Sequence, residues 1–170
     1  HPARILNLSF GGAGSCSLVQ QAAVDEITAH GVLIVASVGN DGGPVDAPAN
    51  CRGVLSVAGL RQEGTKVGFS NLGPQVALSA PGGNCVNTSA GQPCLFSIVA
   101  ATNHGLTSPT SSGYTDQFNY NVGTSFSAPL AAGVAALMRS VNSRLEPAHY
   151  ISILRETAAA FPSGSTTTST

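Results

Sequence analysis

Apolar positions fall along this chain in short unbroken runs separated by Gly- and Pro-rich breaks, and three stretches instead carry a helical period. Residues 4–10 (RILNLSF) are a compact apolar run ended by Gly11 and Gly12, the pattern of a buried strand. Residues 18–30 place Leu18, Ala22, Val24 and Ala29 near a 3.6-residue period, with Ser17 as N-cap and Gly31 as stop. Residues 31–40 (GVLIVASVGN) are apolar almost throughout and too short for a helix between such flanks. They predict a strand buried on both faces. Strand, helix and strand in this order form a right-handed βαβ crossover.

Two more runs, residues 53–60 (GVLSVAGL) and 75–82 (QVALSAPG), read as strands bounded by Gly or Pro. Residues 82–120 are polar and weakly periodic, with one short strand expected at 96–102 (FSIVAAT). Helical patterning returns over 124–141 and again over 147–159, where Pro147 suits the first helical position. Residues 161–170 read as a flexible tail after a single domain over 1–160. This order of elements predicts a three-layer α/β fold, a mainly parallel sheet flanked by helices.

Composition narrows the class. Of 170 residues, 42% are hydrophobic and 9% charged, against a usual charged share of about 25%. That balance excludes disorder for most of the chain. A formal charge of −1 gives no electrostatic footprint for nucleic acid or an anionic membrane. No apolar run approaches the roughly 20 residues that span a bilayer. Cys16, Cys51, Cys85 and Cys94 lack C-x-x-C spacing and nearby histidines, which argues against a metal site. They allow three disulfide pairings. Cys16–Cys51 with Cys85–Cys94 is favoured because the second pair closes a small loop; four free thiols in a reducing compartment is the other reading. Low charge, abundant Gly and Ser, and paired cysteines point to an exported protein, extracellular or periplasmic.

Ligands of parallel α/β sheets bind beyond the carboxyl ends of the strands, here the glycine-rich stretches SFGGAG and SVGNDGG. Neither matches a phosphate-binding fingerprint. The other candidate is Ser125, in NVGTSFSAPLAAGVAALM. A serine at a helix start either caps the helix or attacks a substrate, aided by free N–H groups and the helix dipole. Gly123 clears space before it, Pro129 is read as lying within the first turn, and the following small residues suit a helix packed on all sides.

The segment GTSFSAPLAAGVAAL resembles the nucleophile helix of the subtilisin-like serine proteases (subtilases), G-T-S-x-[AS]-x-P-x-x-[AS]-G, with Gly123, Thr124, Ser125, Ser127, Pro129 and Gly133 in place. ILNLSFGG, GVLIVASVGNDG and VGFSNLGPQVALSAPGG are similar to other segments of that family, in its order. The resemblance runs from Arg4 to about Thr157 and implies a partial subtilisin-like fold, the C-terminal portion of a catalytic domain. It implies that Ser125 is the nucleophile of a serine endopeptidase working through an acyl-enzyme. Asn40 and the Ser125 N–H would hold the oxyanion, with Thr124 in support. Ser9–Phe10–Gly11 and Ser37–Val38–Gly39 would wall an extended polypeptide substrate, which pairs between them as an added strand. Asp46 would stand at the base of the pocket for the residue before the scissile bond and select Lys or Arg; a solvated loop aspartate is the other reading.

The family's order is Asp…His…Ser, and neither partner is found upstream. His1, His30, His104 and His149 lie outside an H-G-T-H context; the NHGLTSP stretch at His104 follows Asn40 and reads as loop. Asp25 lies mid-helix. The expectation is therefore a secreted protease portion, inactive alone, that needs a missing N-terminal segment as partner. A catalytically silent peptide-binding or structural module on the same fold is the alternative. No cofactor is implied, and no dense carboxylate loop marks the calcium site that a complete enzyme could carry.

Overall fold

The computed structural model describes residues 3–85, 96–115 and 121–162. Four strands, β1 (Ile5–Leu8), β2 (Leu33–Ser37), β3 (Val54–Leu60) and β4 (Leu78–Pro81), form one parallel sheet in the order β1-β2-β3-β4. Helix α1 (Leu18–Ala29) crosses from β1 to β2. Helices α2 (Thr124–Val141) and α3 (Pro147–Thr157) follow a small antiparallel pair, β5 (Ala101–Asn103) and β6 (Ser112–Tyr114).

The uninterrupted apolar runs are explained by burial on both sheet faces. Every residue of β2 is buried, and successive side chains enter different cores. Leu33 and Val35 pack with Leu55, Val57, the alanines of α2 and Tyr150 of α3. Ile34, Ala36 and Val38 pack with Val24 of α1, Val54 and Ala58. Helices thus cover both faces, giving the three layers the pattern predicts. Small residues at Ala128, Ala131 and Ala135 let α2 lie close against the sheet.

At the start of α1, Gln20 N–H donates to the Ser17 hydroxyl at 3.2 Å, and Ser17 N–H donates to Gln20 Oε1 at 2.9 Å. This is a reciprocal capping box. The Cys16–Cys51 disulfide ties that cap to the turn before β3, closing a 35-residue separation. Cys85 is also disulfide-bonded; its expected partner Cys94 lies outside the described residues, as does most of the expected tail.

Two expectations are corrected. The strand expected at 96–102 forms only at the end of that run, starting at Ala101. This strand, β5, pairs with β6, and Phe96 makes a lone bridge to Asn84. The intervening backbone is drawn off by Asn121 and Thr115: Ile98 N–H donates to Asn121 O, and Ala100 N–H to Thr115 Oγ1. Val99 points outward, 67% exposed. Secondly, Pro129 is not in the first turn. Gly123 is the N-cap, so Pro129 is the sixth helical residue, where its missing N–H orphans the carbonyl of Ser125.

Among the described residues no helix is long and apolar enough to cross a membrane.

Candidate active site

The loops after β1 and β2 and the first turn of α2 converge at the carboxyl edge of the sheet. Ser125 is the second residue of α2 and does not cap it: Gly123 holds that position, without a side-chain cap. The orphaned Ser125 carbonyl accepts instead from the Ser9 hydroxyl at 2.8 Å. Ser125 Oγ donates back to the Ser9 carbonyl at 3.3 Å. Two serines 116 residues apart are thereby bonded reciprocally. Ser9 is more than a wall residue, and the proline that creates the need for its hydroxyl gives the sequence signal.

Asn40 is held from α2. Its Oδ1 accepts from Thr124 N–H and from Thr124 Oγ1, each at 2.9 Å. With the oxygen committed twice, the amide nitrogen faces the start of the helix. A Cβ placed on Gly123 would lie 3.5 Å from that nitrogen, and Gly123 has φ +148°, a conformation that side chains rarely adopt. Glycine there is favoured by the backbone conformation, while the distance itself is ordinary van der Waals contact. Thr124, fully buried, also shares its hydroxyl with the Gly39 carbonyl at 3.3 Å.

Asn71 holds the same loop from behind. The side chain is 1% exposed, and its Oδ1 accepts from Asp41 N–H and Gly43 N–H, both at 2.9 Å. Its own N–H donates to Gly39 O at 3.1 Å. Gly39 has φ +106°, and any Cβ there would collide with Asn71 Nδ2 and Asp46 Oδ2. Pattern reading does not single out Asn71. The one available signal is a polar side chain set between the apolar run VGF and the turn LGP.

Asp46 is 8% exposed and donates its N–H to Val38 O at 2.9 Å. A Cβ on Gly11 would approach Asp46 Cβ to 3.4 Å. Gly12 and Ala47 exchange backbone bonds at 3.0 and 3.1 Å. The side chain therefore lies between Gly11 and Gly39, with its carboxylate on the Gly39 side, and is buried. Burial first, then the charge of Asp41, raises its pKa above the ordinary carboxylate value.

The walls themselves differ. Phe10 is 63% exposed and Gly11 is exposed. Ser37 and Val38 are buried. Val38 N–H donates to Val57 O, and its carbonyl accepts from Asp46. Its backbone N–H and carbonyl are thus both already committed, which leaves Val38 without a free main-chain group for strand addition. The described histidines are engaged elsewhere. His30 Nδ1 bonds Glu26 O at the end of α1, His149 accepts from Glu146 N–H at the start of α3, and His104 is an exposed loop residue. His1 lies outside the described residues. Among the described residues no group of three His, Cys, Asp or Glu side chains gathers to hold a metal.

A parallel sheet whose carboxyl edge joins a helix-borne serine to an asparagine amide defines a class, and comparison with known proteins names it. The model of the subtilase family matches residues 1–169. The chain belongs to the subtilase family of serine proteases. It is 38% identical over 165 residues to an extracellular protease of Xanthomonas campestris pv. campestris, covering 95% of this chain and 26% of that protein. An extracellular basic protease of Dichelobacter nodosus is 34% identical, with 95% and 25% covered. A solved protease of Pseudoalteromonas arctica superposes with TM-score 0.85 at 33% identity, covering 99% of this chain and 48% of that one. The chain therefore spans about a quarter of these two relatives' full length and about half of the solved chain.

Proposed function

We propose that this chain supplies the nucleophile and the oxyanion hole of a secreted serine endopeptidase whose aspartate and histidine lie outside it. Ser125 Oγ attacks the scissile carbonyl carbon while its proton passes to the histidine. The oxygen takes up the negative charge and is met by Asn40 Nδ2–H and the Ser125 N–H, a helix-start donor with no intrahelical partner. Collapse breaks the C–N bond, and the amine leaves with the proton from the histidine. Water then cleaves the resulting ester and frees Ser125.

The single observation that carries this reading is the commitment of Asn40 Oδ1 to Thr124, which aims the amide N–H beside the second residue of α2. Asp46, a buried side chain between Gly11 and Gly39, favours Lys or Arg before the scissile bond, because a buried charge is stabilised by an opposite one. The names of the two relatives support export, as does the Cys16–Cys51 disulfide. The partners are then a polypeptide substrate and the N-terminal segment bearing the other two catalytic groups.

An organofluorophosphonate tests the proposal. In the full-length protease it is expected to label Ser125 stoichiometrically, while the 170-residue chain alone stays unlabelled. Rapid labelling of the isolated chain would show that a base is present within it. No labelling of the full-length protein would favour a silent peptide-binding module.

A further inference from the structure

We propose that Asn71 is the positioning residue of the oxyanion loop, fixing where Asn40 stands without itself touching the substrate. The inference rests on the role proposed above for Asn40, which this loop carries.

The loop has little stiffness of its own, since Gly39, Gly42 and Gly43 surround Asn40 and Asp41. Thr124 holds it from the front through the Asn40 side chain. Asn71 holds it from behind at three points: Gly39 O, Asp41 N–H and Gly43 N–H. These contacts flank Asn40 on both sides and leave its side chain free to face α2.

Asn71 is in turn referenced to the centre of the sheet. The Ser70 hydroxyl donates to the Asn71 carbonyl at 3.1 Å and accepts from the N–H of Gly59 in β3 at 2.9 Å. Ser70 is fully buried. The path from β3 through Ser70 and Asn71 to the loop is thus hydrogen-bonded at every step. Burying an amide costs stability unless its polar atoms are paired, and here the pairing is made with the one loop whose placement the chemistry needs. Removing the Asn71 side chain strips two loop N–H groups of their acceptor and lets a glycine-rich segment shift. A displacement of about 1 Å at a reacting group costs up to about 10²-fold in rate.

The test uses the full-length protease carrying Asn71→Ala. Asn71→Leu fills the same volume and is read in the same way where the alanine variant fails to accumulate. Active enzyme is counted by titration of the nucleophile, and kcat and KM are measured on a peptide p-nitroanilide. The expected result is a fall in kcat of about tenfold with KM within about twofold. In an Asn40→Ala background, the same substitution is expected to change kcat by less than about twofold. Amide exchange at Asp41 and Gly43 should also quicken. A fall in Tm with kcat unchanged would leave Asn71 merely structural and overturn the inference. Equal losses in both backgrounds would also overturn it, since Asn71 would then not act through Asn40. If Asn40→Ala alone leaves kcat unchanged, the oxyanion assignment itself is what fails.

Discussion

The two halves of the site are anchored differently. Ser125 is fixed by reciprocal hydroxyl-to-carbonyl bonds with one residue, its carbonyl taken by the Ser9 hydroxyl and its Oγ turned to the Ser9 carbonyl. Asn40 is fixed through its side chain in front and through loop N–H groups behind. The proposed nucleophile thus depends on a helix whose position the sheet already sets. The proposed oxyanion donor, Asn40, sits on glycine-rich backbone that must be held from outside. Substitutions around Asn40 should therefore act on rate more than on stability, and those around Ser9 on both.

The largest expected effect comes from deleting the donor. If Asn40 is the oxyanion donor as proposed, Asn40→Ala in the full-length protease should lower kcat by about 10²–10³ with KM little changed. A loss below about fivefold would place oxyanion stabilisation elsewhere and dissolve the contrast between the halves.

Asp46 touches both halves, through Gly11 and Gly39, and tests them together. Asp46→Asn should lower the preference for Lys or Arg over Leu at the cleavage site by about tenfold, near 1.4 kcal/mol of lost pairing. Its pKa is raised in the folded state, so the stability tied to its protonation is complete below the ordinary carboxylate pKa and is lost as pH rises through the raised value. The asparagine variant should accordingly melt higher than the parent at neutral pH, and that gain should vanish below about pH 4. Thermal melts across pH, with and without the substitution, check the sign.

The smallest effect probes the serine bolt. Ser9→Ala removes the donor to the Ser125 carbonyl and should cost about 1 kcal/mol of stability with a several-fold loss of kcat. Pro129→Ala restores an N–H four residues after that carbonyl. In the double variant the loss from Ser9→Ala should shrink to within about twofold. If it does not, the bond from Ser9 does not substitute for the one that Pro129 removes.

Most of the frame was legible in the sequence because it rests on uniform signals. Strands buried on both faces leave unbroken apolar runs, as in LIVAS, and Ser17 with Gln20 marks the start of α1. The meeting of the Ser9 and Asn40 loops with the serine helix follows from the parallel order of the strands together with the family resemblance. The start of α2 was less legible. Thr124, Ser125 and Ser127 all have the chemistry of a cap, and only the backbone shows that Gly123 fills that role, which places Pro129 beyond the first turn. Asn71 was hidden for another reason: its worth lies in bonds to residues 28 and 30 positions away. Local pattern carries no trace of such partners. The run FSIVAAT misled because Val99 faces outward and the backbone of Ile98 and Ala100 is taken by Asn121 and Thr115.

The strands of the main sheet stand side by side in the order in which they are made, whereas the bonds that define the site join residues 84 and 116 apart. Loops that long close late, because their chain entropy is lost before any contact repays it. A polypeptide emerging in sequence can therefore lay down β1 to β4 with no cleft at all. On the proposed reading, Ser125 and the Asn40 amide meet only once α2 has packed against the loops after β1 and β2.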